Sequence, residues 1–161
     1  MKRKYQILLI ISSIVVMMDQ LTKALVVAKI PLYNTIVVIP GFFNLTHLRN
    51  PGVAFGLFSG GNSNLQQMLL MGAAICAVCV IFYFYSKTGQ EFPLMLIGFS
   101  LIVGGAVGNL IDRFRFSGVV DFVEVYVGKY TWPAFNVADS AICIGVSIFF
   151  YYMVFKRPDN F

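Results

Sequence analysis

Four stretches of this chain, at residues 5–28, 65–85, 92–111 and 135–155, are long and apolar enough to cross a bilayer, which takes about 20 helical residues each. Hydrocarbon offers no partner for a free N–H or C=O, so such stretches are expected to be helices that satisfy their own backbone. They consume about half of the 161 residues, which leaves no room for a separate soluble domain. The expected fold is mainly α, a single integral membrane domain over 1–161 with four transmembrane helices. Composition agrees, since only 12% of the residues are charged, about half the share in an average soluble domain.

The start, "MKRKYQILLIISSIVVMM", has the basic residues and apolar run of a secretory signal. No small-x-small cleavage site follows, so it reads as an uncleaved first span. The net charge of +5 is spread among hydrophobic segments and forms no basic stripe, which argues against nucleic acid as a partner. Four spans put both ends on one side. Lys2, Arg3, Lys4, Lys87, Lys156 and Arg157 lie on that side, while Lys23, Lys29, Arg49, Arg113, Arg115 and Lys129 lie toward the other, six against six. Long loops count for little in the positive-inside rule, so cytoplasmic termini are expected. The acids are lopsided, with Asp19, Asp112, Asp121, Glu124 and Asp139 opposite the termini and only Glu91 and Asp159 beside them. Acids barely steer insertion, so this clustering points to a site.

Residues 30–64 form the long connection. Phe43, Leu45 and His47 alternate with Asn44, Thr46 and Leu48, and Pro40-Gly41, Asn50-Pro51-Gly52 and Ser59-Gly60-Gly61 punctuate the segment. A small antiparallel β-sheet at the membrane surface is expected. "GVVDFVEVYVG" (118–128) either adds a strand to it or lies in the interface.

An ionisable group within a span costs about 2.5–3.5 kcal/mol at a helix centre, so each needs a reason. Asp19 and Lys23 are one helical turn apart, in the favourable order for an ion pair; a structural pair and a binding role both remain open. Gly104-x-x-x-Gly108 has the spacing that lets helices approach closely, which brings a neighbouring backbone within reach of Asn109 and Arg113. Arg113 either snorkels to headgroups, binds an anion or orients a carboxylate. In "FNVADS", Asn136 and Asp139 suit a helix N-cap with an acid in the first turn. Capping accounts for nothing at Asp121.

Asp121 and Asp139 stand at opposite ends of one short loop. If they meet, repulsion and poor hydration let the pair hold one proton, so that one acid acts as base and the other as acid. Such a pair can direct water at a peptide carbonyl without a metal. Zinc chemistry of the HExxH kind needs two histidines and the chain has one, His47, which reads as an ordinary loop residue. Cys76, Cys79 and Cys143 fall inside spans and read as small packing residues, not as a disulfide framework. A transporter or channel would be expected to show repeats in matching halves, and none is visible.

Five blocks, "DQLTK" (19–23), "RNPGVAF" (49–55), "GNLIDR" (108–113), "GVVDF" (118–122) and "FNVADS" (135–140), resemble the lipoprotein signal peptidases, or signal peptidase II. The likeness covers nearly the whole chain. It implies a bacterial inner-membrane aspartic endopeptidase, with four helices and an extracytoplasmic β-sheet that cradles a prolipoprotein cleaved before its diacylglyceryl cysteine. By that resemblance Asp121 and Asp139 are the catalytic pair. Asn50, Asn109, Arg113, Asn136, Asp19 and Lys23 support it, and Asp112 lies outside the pair. No cofactor is expected, membrane lipid is a partner, the site lies near the outer face, and the enzyme works as a monomer. Val53-Ala54 stands where many relatives carry two alanines, a departure that bears on fine specificity.

Overall fold

The computed structural model describes residues 3–52, 63–128 and 130–156. Four helices are long and apolar enough to cross a membrane: α1 (Arg3–Lys29), α2 (Ser63–Lys87), α3 (Pro93–Phe116) and α4 (Val137–Tyr151), with a π-helical turn over Tyr152–Lys156 continuing the last. Four strands complete the fold: β1 (Thr35–Ile39), β2 (Phe43–Asn50), β3 (Val119–Val127) and β4 (Tyr130–Phe135).

Local chemistry explains the boundaries. Pro31 disfavours helical geometry at Ile30, just beyond the end of α1. Pro93 opens α3, where its missing N–H costs nothing. The third helix runs to Phe116, beyond the expected limit at 111. Hydropathy marks where the apolar run stops, whereas the helix continues until Ser117 turns left-handed (φ 55°) and its N–H closes on the Arg113 carbonyl at 3.1 Å. Asp112, Arg113 and Arg115 therefore belong to the last turns of α3.

The hub of the bundle is α3, half of whose membrane-length window is buried, against 6% for α2. Glycine makes this possible. A Cβ at Gly104 would lie 2.8 Å from the Val15 side chain of α1, and one at Gly105 would lie 2.4 Å from the Ala138 carbonyl of α4. Farther down, Gly145 and Gly98 bring α4 and α3 together, a Cβ at Gly145 falling 2.5 Å from the Gly98 carbonyl. The close packing expected of Gly104-x-x-x-Gly108 thus engages two neighbours, α1 and α4.

The start of α1 meets the end of α2, and the residue preceding α3 meets the end of α4. Lys4 Nζ donates to the Ser86 carbonyl at 2.7 Å, and Phe92 meets Tyr152 ring to edge. Tyr85, Met95, Leu96 and Phe99 form the core there, while Val26, Ile30 and Phe122 fill the opposite end beneath the sheet.

The sheet is antiparallel throughout, in the order β1-β2-β3-β4. Pro40-Gly41 turns β1 into β2, with Gly41 at φ 73° and the Phe42 N–H on the Ile39 carbonyl at 3.0 Å, the positive φ that the third position of a type II turn requires. Within residues 118–128, Val119–Val127 form β3, one of the two inner strands, so the sheet joins the long loop to the α3–α4 connection. Leu48 pairs with Asp121 and Asn50 with Val119, which sets Asn50 and Asp121 on one face. The Ser59-Gly60-Gly61 turn, Val53–Phe55, Lys129 and the terminal Lys2 and Arg157 lie outside the described residues.

Two expectations are corrected. His47 is buried in β2 with Nδ1 2.8 Å from the Ile30 carbonyl. The register slips between Leu45 and Leu48, so Thr46 and His47 both turn inward and strict alternation fails. Cys76, Cys79 and Cys143 face outward from the bundle. Much of α2 meets no other helix, and its small residues line the lipid-exposed flank.

Gly105→Val should destabilise the fold by about 1–3 kcal/mol, because the clash is with backbone that cannot rotate away. Gly72→Ala, where a Cβ meets nothing within 4 Å, should stay within about 0.5 kcal/mol. Thermal unfolding in detergent distinguishes the two.

Candidate active site

Where α3 ends and α4 begins, three buried charges sit side by side: Asp19 (0% exposed), Lys23 (3%) and Asp112 (1%). Lys23 Nζ is 2.8 Å from Asp19 Oδ2 and 2.8 Å from Asp112 Oδ2, and it donates to Asn109 Oδ1 at 3.0 Å. Three donors meet three acceptors. Gln20 caps the cluster, donating to Asp112 Oδ1 at 3.0 Å and to Asp19 Oδ2 at 3.1 Å.

Because the Asn109 oxygen faces the ammonium, its amide nitrogen must face the other way. It donates to Asp139 Oδ1 at 2.8 Å. Asp139 Oδ2 accepts the Asn136 N–H at 3.2 Å, while Asn136 Oδ1 accepts the Asp139 N–H at 2.9 Å. This reciprocal capping box fixes the first turn of α4. The Asn136 amide nitrogen is left for Asp121, and donates to its Oδ1 at 2.8 Å.

Asp121 projects from β3 and receives a second bond from Asn50 of β2, Nδ2 to Oδ2 at 3.1 Å. Each of the two carboxylates thus takes two amide donors, and Asn136 belongs to both sets. Burial first and the neighbouring charge of Asp139 second push Asp121 up to about 6, against the pull of the Asn50 and Asn136 bonds. The two acids that the loop separates in sequence are electrically coupled in space.

Arg113 is half-buried within electrostatic reach of Asp139, Asp121 and Asp112, yet forms no ion pair with a described carboxylate. Among the described residues, no three His, Cys, Asp or Glu side chains converge as a metal site.

Known proteins match the chain over nearly its full length. The family described as Signal peptidase (SPase) II matches residues 11–155. The chain belongs to the signal peptidase II family. Its members include the lipoprotein signal peptidase of Desulforapulum autotrophicum, 48% identical over 153 residues covering 94% of both chains. Another, from Syntrophus aciditrophicus, is 39% identical over 99% of both. Among solved structures, a bacterial membrane enzyme determined at 2.3 Å by the in meso method superposes with a TM-score of 0.83 at 32% identity, covering 96% of this chain and 91% of that one.

Asp19, Lys23, Asn50, Asn109, Asp112, Asp121, Asn136 and Asp139, drawn from five separate blocks of the sequence, converge here. Asp19 and Lys23 form the ion pair that their spacing suggested, and Asn136 caps α4 as its sequence position suggested and also donates to Asp121. Sequence reasoning passed over Gln20, and it counted Asp112 among the clustered acids without finding its partners. A signal for Asp112 existed: it follows Gly108 by one helical turn, on the glycine face of α3, and so points at α1 as Gly108 does.

Lys23→Met would strand two buried carboxylates. It should cost about 3–5 kcal/mol, and adding Asp19→Asn should recover part of that loss, both read as thermal unfolding in detergent.

Proposed function

We propose that this chain removes the signal peptide from diacylglyceryl-modified prolipoproteins, cleaving before the lipidated cysteine with Asp121 and Asp139 as an aspartic pair. The observation that carries the reading is the Asn136 bridge. One carboxamide contacts the Asp121 carboxylate and the Asp139 backbone, joining a buried acid, Asp121, which sits near 6, to a half-buried one. That arrangement suits a shared proton.

The ionised acid takes a proton from water as the water oxygen attacks the scissile carbonyl carbon. The protonated acid gives its proton to the carbonyl oxygen. As the tetrahedral intermediate collapses, the C–N bond breaks, the former water proton passes to the leaving amine, and a hydroxyl of the intermediate returns a proton to the acid that supplied one as the carbonyl re-forms. Asn50, Asn109 and Asn136 hold the carboxylates in position, and Arg113 meets the substrate backbone or headgroup region. Asp19 and Lys23 support the site from below.

Lipid supplies the affinity. The substrate's acyl chains partition beside the helices and hold the peptide at the depth of the acids, which turns an encounter in three dimensions into one of orientation. In this reading a single membrane domain works as a monomer in the bacterial inner membrane, with its termini cytoplasmic and the sheet toward the outer face.

Asp121→Asn and Asp139→Asn should each lower cleavage of a lipidated precursor in detergent by at least about 10³-fold, in the upper half of the roughly 10²–10⁴ usual for one acid–base group. Normal turnover in either variant would refute the pair. Because the competent form carries one proton, kcat/KM should fall as pH rises through about 6, where Asp121 ionises. A profile flat from pH 5 to pH 8 would contradict a shared proton.

A further inference from the structure

The two buried carboxylates beneath the site do more than neutralise Lys23. Asp112 Oδ2 accepts the N–H of Val120 at 3.0 Å, and Val120 immediately precedes Asp121. Asp19 Oδ1 accepts the N–H of Ala138 at 3.0 Å, and Ala138 immediately precedes Asp139. Each member of the proposed pair therefore follows a backbone amide held by one carboxylate of the cluster. The ammonium of Lys23 ties those two carboxylates together at 2.8 Å each.

We propose that Asp112, through Lys23 and Asp19, acts as a positioning clamp that sets the separation of the Asp121 and Asp139 carboxyl groups. One arm runs from Lys23 through Asp112 to the Val120 amide at the entry of β3. The other runs from Lys23 through Asp19 to the Ala138 amide in the first turn of α4. A third link, from Lys23 through the Asn109 carboxamide, reaches Asp139 directly.

The local structure favours such a role. The Ala138 N–H is one of the donors that a helix N-terminus leaves unsatisfied, so Asp19 fixes the start of α4 relative to α1. The Val120 amide lies three residues past the left-handed Ser117, where the chain reverses from α3 into the sheet. Asp112 joins the last turns of α3 to the strand that follows. Close approach is built in, because a Cβ at Gly108 would lie 2.6 Å from Asp19 Oδ2.

The clamp rests on the assignment of Asp121 and Asp139 as the catalytic pair, and its test must fail separately from that assignment. The charged groups facing Asp121 are Asp139 of α4, Lys23 of α1 and Arg113 of α3, with Asn50 and Asn136 as its neutral donors. Widening the pair weakens the Asp139 repulsion that helps to raise Asp121.

The experiment compares Asp112→Asn, which removes the charge but keeps an acceptor, with Asp112→Glu, which keeps the charge but displaces it by one methylene. Full-length protein in detergent micelles is assayed on a lipidated precursor peptide. Both variants should lose about 10- to 100-fold in kcat with KM changed less than about twofold, as expected when geometry and not binding is disturbed. In both, the falling limb of kcat/KM should move to lower pH than in the parent.

The same midpoint can be read without turnover, from the pH titration of the protonated-carboxyl infrared band that Asp121→Asn removes. Wild-type kinetics in Asp112→Asn, a loss of kcat with an unmoved midpoint, or a shift in the Asn variant alone would each overturn the clamp, the last because charge and not position would then be responsible. If Asp112→Asn does not fold, Asp112→Glu and Asp19→Asn carry the test, with the same outcomes expected of each. Asp121→Asn and Asp139→Asn run in parallel: turnover in either sinks the pair itself, whereas inactivity there with a normal profile in the Asp112 variants sinks only the clamp.

Discussion

An ammonium group buried among helices is tolerable only if opposite charge and hydrogen bonds replace its water. Lys23 meets that condition with two carboxylates and one carboxamide. The condition constrains everything near it. Asp19 comes from the same helix one turn away, but Asp112 and Asn109 come from α3, so α1 and α3 must cross at a fixed depth and rotation. The carboxylates in turn hold backbone amides at the starts of β3 and α4, which links three helices and a strand around a single charge.

That contact needs helix axes closer than ordinary side chains permit. Glycine on α3 supplies the room toward both neighbours, with Gly104 and Gly108 against α1 and Gly105 against α4. Within hydrocarbon no hydrophobic force drives one apolar helix onto another, so close packing and polar contacts must do it. Here the two are continuous. The glycine face of α3 passes into Asp112 one turn beyond Gly108, and packing at midspan becomes hydrogen bonding at the end. The aromatic core around Tyr85 and Phe99 secures the opposite end of the same helix.

The sheet completes what the helices begin. It presents Asn50 from the long loop to Asp121 from the α3–α4 connection, through the pairing of β2 with β3. Three asparagines then hold two carboxylates, a choice with a chemical consequence: amide donors orient an acid without adding the full positive charge that would keep it ionised. Asp121 accordingly remains near 6 despite the hydrogen bonds it accepts. In the proposed reaction that balance keeps a transferable proton beside the water-activating base, while the half-buried Arg113 remains free of direct ion pairs with described acids.

The number of helices, their approximate limits, the β-character of residues 35–50 and the ion pair of Asp19 with Lys23 were all legible in the sequence. Each depends on composition or on spacing within one element, and the bilayer imposes a length that few other arrangements satisfy. Motif resemblance added Asn50 to the residues already singled out and suggested a role for each. What only the tertiary structure decided depends on partners distant along the chain: the inward turn of His47 at a register slip, the outward face of the cysteines, the placement of residues 119–127 as an inner strand of the sheet, and the reach of Asp112 to Lys23 and to the Val120 amide. Sequence specifies which groups must find a counter-charge or a donor in a medium without water. Which group answers is settled where separate helices and strands converge, because hydrogen bonds a few ångströms long depend on positions that no local pattern encodes.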